Sequence, residues 1–504
     1  AFGLAAIEDH PMWLNRVILL IAGALSTLAF SPFGWWWILL PTLALLFHNW
    51  SDQKPREAAL SGFYFGLGLF GSGVSWVYIS LKVYGNMPIA MAAIAVLFFV
   101  SVLSLYPMLA GYLQARLRLI SKPIRLLILI PVLWTCCEIL RGLIPAGFPW
   151  LSIGYSQTDG PLSGYAPLGG VVFTSFVTAA TAGGVALFYQ RRDLGPKLMI
   201  GLLATLFVSA VGNQIEWTEP AGPELTVAAV QGNVSLEQKW QPNYRQQTLQ
   251  NYLRLSSQTD ASLIVWPETS VAYYEHEFSE SMWQALSPTN QTLIFGALEA
   301  RAPTAEDDNT KLYNVAIATC NGSRQIYRKH HLVPFGEFLP LSDWLGWLLE
   351  YLQIPMSDFS SWDGQQTIDC GNDLKLSISI CFEDAFEEEF RQAAKHNTIL
   401  VNLSEDAWFG DSLAPHQRMQ MARMRVLETA KPMVRAGNTG PSAIINYDAN
   451  ILAASTQFET ALLEASVNPR TGQTLYARIG NRSIIIFLIL LSCLGMWYGR
   501  LARP

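Results

Sequence analysis

Charge is scarce in this chain. Asp, Glu, Lys and Arg make up only 14% of its 504 residues, against 51% apolar residues and a mean hydropathy of +0.24, a balance unusual for a soluble enzyme of this size. Cysteine is sparse as well, with six in all. His330, His331 and His416 lack cysteine or histidine partners at metal-ligand spacing, so neither a metal site nor a cofactor is expected. Basic character is missing where a nucleic-acid partner would need it. Residues 217–480 carry 31 acidic and 18 basic side chains, a net charge of −13, which excludes that class of partner. There is no internal repeat and no low-complexity tract. About 500 residues is more than one comfortable core holds, so at least two structural units are expected.

What is present is a series of apolar runs near the ~20 residues that cross a bilayer. They fall at 14–30, 35–50, 58–79, 88–112, 124–140, 166–189 and 196–212, with an eighth, shorter run at 484–498. Lys and Arg near span ends stay on the cytoplasmic side. With eight spans, Arg16, Lys54, Arg56, Arg116, Arg118, Lys122, Arg125, Arg191, Arg192, Lys197, Arg500 and Arg503 share one side, and only Lys82 and Arg141 fall on the other. One span more or fewer would scramble that asymmetry. Both termini are therefore expected in the cytoplasm. The domains expected are 1–216 with seven transmembrane helices, 217–480 outside the membrane, and 481–504 with the last helix. A secretory signal peptide over the first run is the alternative, but no small-residue cleavage pattern precedes Pro32, and its removal would break the charge alternation.

Cys136, Cys137 and Cys493 fall in spans and read as small apolar packing residues. Cys320, Cys370 and Cys381 lie outside, where an oxidising compartment joins suitable pairs. A Cys320–Cys370 bond would leave Cys381 free, although spacing does not fix connectivity.

Within 217–480, strand-like runs at 225–230, 263–266, 293–298, 312–319, 326–332, 374–380, 399–403 and 442–446 alternate with helical patterns near 240–256, 279–285, 383–394 and 416–431. That alternation predicts a layered α/β or α+β domain. Leu341, Trp344, Leu345, Leu348, Leu349 and Leu352 recur at helical spacing, followed by Tyr351, Ile354, Met356, Phe359 and Trp362. They read either as a lid at the membrane interface or as an ordinary buried helix.

Three strand ends carry complementary chemistry: Glu268, Lys329 and Cys381. A thiol attacks as its thiolate. A helix N-terminus after Cys381 would favour the anion, whereas Glu383 and Asp384 oppose it, so a separate carboxylate base is wanted. Lys329, with backbone N–H groups near Cys381, would meet the oxyanion that develops on an attacked carbonyl. Each residue alone has a plainer explanation: a core cysteine, a Pro-Glu turn, a solvated basic edge.

The surrounding words say more. Trp266-Pro-Glu268, Lys329-His-His-Leu-Val-Pro-Phe-Gly-Glu337 and Ile380-Cys-Phe-Glu383 resemble the three signature blocks of the nitrilase superfamily, whose members use Glu, Lys and Cys on a four-layered αββα sandwich. The chain also carries Gly147-Phe-Pro-Trp150, Gly154-Tyr-Ser-Gln157, Asp406-Ala-Trp-Phe-Gly410, Gln420-Met-Ala-Arg-Met-Arg425 and Tyr476-Ala-Arg478. With these and the spans, it resembles the bacterial apolipoprotein N-acyltransferase family over essentially its whole length.

The resemblance implies a polytopic α-helical membrane domain of eight spans plus an α+β nitrilase-like αββα sandwich in the periplasm, in a monomer of the inner membrane. It implies Glu268 as general base, Lys329 as oxyanion stabiliser and Cys381 as acyl carrier, with Glu337 and Glu383 in support. Trp240 and Asn314 would surround the substrate, and Trp150 and Tyr155 would face the incoming lipid. The implied partners are a phospholipid donor, phosphatidylethanolamine at its sn-1 position, and the N-terminal α-amino group of a diacylated apolipoprotein. Bringing an acyl chain of about 15 methylenes into water would cost roughly 12 kcal/mol, which gives the spans a catalytic purpose. The chain departs from the family's pattern at Phe382, Glu405, Gly437 and within Pro415-His-Gln-Arg418. Two other readings stay open: a membrane-anchored amidase acting on a soluble substrate, and a transporter or receptor, for which Glu138 and Arg141 are the obvious buried ionisable pair.

Overall fold

The computed structural model describes residues 11–117, 121–144, 147–303, 310–320, 322–334, 336–338, 359–364, 367–371 and 373–501. It divides into two compact units. One comprises Ala1–Tyr78, Pro88–Ile215 and Ile479–Pro504, the other Ile79–Met87 and Glu216–Arg478. The apolar stretch 339–358, read above as a lid or a buried helix, lies outside the described residues.

The first unit is helical. Among the described residues six helices are long and apolar enough to cross a membrane: Met12–Ala29, Ile89–Arg116, Lys122–Leu143, Ser163–Gln190, Arg192–Gln214 and Leu475–Trp497. The pair Pro55–Gly73 and Val77–Tyr84, bent by 61°, makes a seventh if taken as one span. Eight were expected. The difference lies at 35–50, where the chain spends Trp36–Ile38 on a 3-10 turn and leaves a helix, Leu39–Asp52, of 14 residues. At 1.5 Å per residue that helix is about 21 Å long, short of the ~30 Å hydrocarbon layer. The last helix is longer than the sequence suggests, Leu475–Leu501, because it continues through a break at Gly480, whose φ is 65°.

Close helix packing here depends on small residues, as is usual where lipid supplies no hydrophobic drive. A Cβ on Gly68 would stand 1.9 Å from the Leu20 carbonyl oxygen. Glu138 and Arg141 are buried and engaged by near neighbours. Glu138 accepts from Trp134 Nε1 and the Ile153 N–H, both at 2.9 Å, and Arg141 donates to Ser152 Oγ at 3.1 Å. Cys137 is buried and Cys136 half-buried, but Cys493 is exposed rather than packed.

The second unit is built on strands. In chain order they are β1 (Thr218–Pro220), β2 (Leu225–Gln231), β3 (Leu263–Val265), β4 (Thr292–Arg301), β5 (Lys311–Cys320), β6 (Ser323–Arg328), β7 (Ile368–Asp369), β8 (Lys375–Ile380), β9 (Ile399–Ser404), β10 (Met433–Gly437), β11 (Ala443–Ile445), β12 (Ile451–Ala454), β13 (Ala461–Val467) and β14 (Arg470–Gly472). Two six-stranded sheets form, in the orders β13-β2-β3-β4-β5-β6 and β12-β11-β10-β9-β8-β7, and β1 pairs with β14 apart from them. In each sheet the three central strands, β2-β3-β4 and β8-β9-β10, run parallel, and their outer neighbours run antiparallel.

Strand periodicity builds the layers. Successive side chains point to opposite faces, so Val227, Ala229, Leu263, Val265, Ile399, Val401 and Leu403 meet in one core between the sheets. Ala228, Val230 and Ile264 pack on the other face with Leu249 and Tyr252 of helix Pro242–Ser256 and Trp283 of helix Glu280–Ala285. Leu400 and Met433 pack on Phe390 of helix Glu387–Ala394 and on Ala422 and Val426 of helix Leu413–Thr429. The result is four layers, helix-sheet-sheet-helix. A disulfide between Cys320, which ends β5, and Cys370, just after β7, links the two sheets and leaves Cys381 free.

Two local expectations need correcting. The stretch after Cys381 is a 3-10 turn, Cys381–Ala385, and the α-helix starts only at Glu387. Cys381 itself has a φ of 53°, outside the right-handed helical region, so it is not itself an α-helical residue. Strand β6 ends at Arg328, so Lys329 stands just beyond it rather than within a longer strand.

Candidate active site

Parallel strands put their C-terminal ends at one edge, where open α/β sheets hold their ligands. Cys381 follows β8, Glu405 and Asp406 follow β9, and Glu268 lies three residues past β3. Strand β6 runs in the same direction as β4, because β5 is antiparallel to both, and delivers Lys329 to that edge. All these side chains are buried.

The Glu268 turn needs space against β4. The Gly296 N–H donates to the Pro267 carbonyl at 3.2 Å, and a Cβ on Gly296 would stand 2.2 Å from the Thr269 nitrogen. Thr269 takes a φ of 47°. Glu268 Oε1 accepts from Asn314 Nδ2 at 2.7 Å and from Lys329 Nζ at 3.3 Å. Lys329 Nζ also bonds Glu337 Oε1 at 2.8 Å, and Asn314 Nδ2 reaches the same oxygen at 3.1 Å. Glu337 is fixed in turn by the Val333 N–H on Oε2 at 2.8 Å. Asn314, placed by the resemblance around the substrate, is thus the bridge between the two carboxylates that hold the lysine.

Burial alone would raise the pKa of Glu268. Lys329, Lys239 and the Asn314 hydrogen bond outweigh it and hold the carboxyl below its ordinary value, and the Cys381 thiol beside it adds to that effect. Burial disfavours the ammonium of Lys329 too, yet Glu268 and Glu337 raise its pKa. Burial pushes the Cys381 thiol up to about 12, with Arg418 and Lys329 opposing and Glu268 reinforcing. The site therefore holds carboxylate, ammonium and protonated thiol side by side.

Glu383 stitches the site's loops together. Its Oε2 accepts from the Ile380 N–H at 2.6 Å and the Tyr327 hydroxyl at 2.9 Å, and its Oε1 from the N–H groups of His330 and His331 at 2.7 and 3.1 Å. Asp384 is bound by Arg418 and Arg435. Both acids beside Cys381 are engaged by donors, so they do not oppose its thiolate in the unmitigated way the sequence suggests. The helix end invoked to favour that thiolate is not there either.

Trp240 is half-buried directly after Lys239. Trp150 and Tyr155 belong to the helical unit and are fully buried, with Trp150 stacked on Phe148 and 5.1 Å from Trp76 between ring centroids. Sequence reasoning missed Lys239, whose Nζ donates to the Glu268 carbonyl at 2.8 Å and to Glu405 Oε2 at 2.6 Å. It also missed Arg418, which reaches Cys381 Sγ at 3.4 Å. The one available signal was that Glu405 and Arg418 both fall where the chain departs from its family's pattern.

Two family models match the chain, one described as an apolipoprotein N-acyltransferase N-terminal domain over residues 22–184, the other as carbon-nitrogen hydrolase over residues 226–476. An apolipoprotein N-acyltransferase of Methylococcus capsulatus is 39% identical, covering 92% of this chain and 92% of its own. Its counterpart in Nitrosomonas europaea is 37% identical over 96% of this chain and 98% of its own, and that of Vibrio vulnificus 36% identical over 95% and 96%. The chain belongs to the apolipoprotein N-acyltransferase family. The hydrolase-type match falls on the four-layered unit that holds Glu268, Lys329 and Cys381, and the match specific to apolipoprotein N-acyltransferases falls on the apolar helices.

Proposed function

We propose that this enzyme moves a fatty acyl group from a membrane phospholipid, through a thioester on Cys381, to the N-terminal α-amino group of diacylated apolipoproteins, the final step of lipoprotein maturation. The observation that carries the reading is the buried cluster of Glu268 and Lys329 from one sheet with Cys381 from the other, in a chain of this family.

In the first half-reaction the Cys381 thiol passes its proton to Glu268 as the sulfur forms a bond to the ester carbonyl carbon. Lys329 meets the negative charge that moves onto the carbonyl oxygen. The lysophospholipid oxygen then leaves and takes the proton from Glu268. In the second, the acceptor amine attacks the thioester carbon, the C–S bond breaks, and the proton lost by nitrogen returns to sulfur through Glu268. Substrates alternate, so ping-pong kinetics are expected. Phosphatidylethanolamine is the proposed donor, through its sn-1 ester.

Residues 1–216 and 481–504 are proposed as an inner-membrane domain with cytoplasmic termini, Trp36–Ile38 and Leu39–Asp52 together supplying the eighth span. Residues 217–480 are proposed as the periplasmic catalytic domain of a monomer. Trp240 and Asn314, with Trp150 and Tyr155 from the helical unit, are assigned to the substrates' surroundings. A membrane-anchored amidase would use the same triad but would need only one anchor. A transporter would need an ionisable path, and Glu138 and Arg141 are engaged by their own neighbours instead.

The test is to incubate the purified full chain with phosphatidylethanolamine bearing a labelled acyl group and to analyse the protein by mass spectrometry. The expected result is a hydroxylamine-labile adduct on Cys381 that a diacylated peptide with a free N-terminal amine removes. Release of labelled fatty acid without an adduct, or full activity in Cys381→Ala, would overturn the reading.

A further inference from the structure

Arg418 has no place in a three-residue scheme, yet it touches the reacting atom. It lies in helix Leu413–Thr429 and is fully buried. Its Nη1 donates to Cys381 Sγ at 3.4 Å and its Nη2 to the Cys381 carbonyl at 2.6 Å. Among the described residues it is the side chain that donates a hydrogen bond to this sulfur, while the thiol itself has two acceptors to turn to, the Glu268 carboxylate and, at 3.9 Å, the Glu405 carbonyl.

The guanidinium is held from behind. Asp384 binds Nη2 at 3.1 Å, Asp406 binds Nη1, and Arg435 spans the same two carboxylates at 2.8 and 3.2 Å. Two arginines and two aspartates make a neutral cluster, so the cation at the sulfur is not an uncompensated buried charge. Cys381 in its left-handed conformation is held by the same arginine through its carbonyl. A fixed cation in contact with sulfur favours the thiolate. The other charged groups acting on this thiol are Glu268, Lys329 and Asp406, with Glu383 and Asp384 on the turn it opens.

We propose that Arg418 is a fourth catalytic residue, the fixed cation that stabilises the Cys381 thiolate as it forms and again as it is expelled from the acyl-enzyme. This rests on the acyl-enzyme reading above. In acylation the sulfur gives up its proton to Glu268 and commits an electron pair to the carbonyl carbon. In transfer the C–S bond breaks and the sulfur leaves with that pair. Lys329 serves the oxygen in both halves, and Arg418 serves the sulfur.

The alternative is that Arg418 merely pins Asp384 and Asp406. Alkylation by iodoacetamide separates the two, because it needs neither lipid nor acceptor. The rate at Cys381 is followed by mass spectrometry on the full chain in detergent, from pH 7 to 10. Arg418→Gln is expected to slow alkylation about tenfold or more at fixed pH, displacing the profile by about one pH unit or more, and Arg418→Lys to slow it less. Asp406→Asn removes a carboxylate that competes for the guanidinium and opposes the thiolate, so it is expected to speed alkylation. An Arg418→Gln profile that overlays the unmodified protein's overturns the proposal, as does a shift of Arg418→Gln and Asp406→Asn in the same direction. Should Arg418→Gln fail to fold, Asp406→Asn decides alone, and an unchanged or slower rate overturns the proposal. Failure of the acyl-enzyme reading would show separately, as the missing lipid adduct on Cys381.

Discussion

Lys329 leans on Glu337 more closely than on its catalytic partner: Nζ lies 2.8 Å from Glu337 Oε1 and 3.3 Å from Glu268 Oε1. Glu337 therefore sets where the ammonium stands and how much of its charge falls on the base. Glu337→Gln keeps the shape and removes the charge, letting Lys329 shift toward Glu268 and away from the carbonyl oxygen it should meet. Losing one oxyanion donor outright costs about 10²–10³-fold. A displaced one should cost about 10- to 100-fold in the rate of Cys381 acylation, measured as single-turnover formation of the labelled adduct. An unchanged rate would mean that the Glu337 charge does not set the position of the ammonium for the reaction.

A second consequence follows from the turn that carries Glu268. The Cβ of an alanine at 296 would meet three backbone atoms, the Thr269 nitrogen at 2.2 Å, the Pro267 oxygen at 2.7 Å and the Glu268 carbonyl carbon at 2.8 Å, and none of them can rotate away. Gly296→Ala should push the turn outward and carry Glu268 with it. A misplacement of about 1 Å costs on the order of 10²-fold, so acylation should fall by about that much while far-UV circular dichroism stays unchanged. Full activity in this variant would show that the Glu268 turn tolerates displacement.

How far the sequence reaches is clearest at three places. Glu268, Lys329 and Cys381 stood out because each follows a strand-like run and opens or closes a recognisable block, but their meeting was not readable locally: Lys329 arrives through the antiparallel β4-β5-β6 pairing and Cys381 comes from the second sheet. Strand β10 was not legible. It carries Arg435, which reads as surface until Asp384 and Asp406 are seen to pair with it. Arg418 was hidden for the same reason, since helical spacing tells which face a residue is on but not whether buried carboxylates wait there. At 35–50 hydropathy counted apolar residues correctly and could not tell that three of them would be spent on a 3-10 turn.

The buried thiol makes alkaline stability a readout of the site. Burial pushes Cys381 up to about 12, from roughly 8.5 in an unfolded chain. Below that unfolded value both states keep the proton and the thiol contributes no pH dependence. As pH climbs from there toward 12, the unfolded chain ionises while the folded one does not, so stability is lost over that interval. Glu268 has the opposite sign: its lowered value gives stability above the ordinary carboxylate range, lost as pH falls through the folded value. Thermal unfolding of Cys381→Ala should therefore fall less steeply above pH 9 than that of the unmodified protein. Parallel alkaline limbs would mean that the thiol ionises as freely folded as unfolded.

Lys239 and Glu405 form an ion pair with side chains only 3% and 4% exposed. The pair joins both catalytic centres, because Lys239 also holds the Glu268 carbonyl and the Glu405 carbonyl receives the Cys381 thiol. Lys239→Met strands Glu405 without its cation, and breaking a buried pair from one side costs about 3–5 kcal/mol. Glu405→Gln in that background removes the stranded charge, and its side-chain oxygen can still accept from the Ala407 N–H, which reaches Glu405 at 3.2 Å. Thermal stability should then recover substantially, whereas acylation should not, since the ammonium that anchored the Glu268 carbonyl is still missing. A double-mutant cycle measures the coupling directly. Additive effects on stability would mean that Lys239 and Glu405 act independently, and recovery of acylation along with stability would mean that the Glu268 contact does not matter for the chemistry.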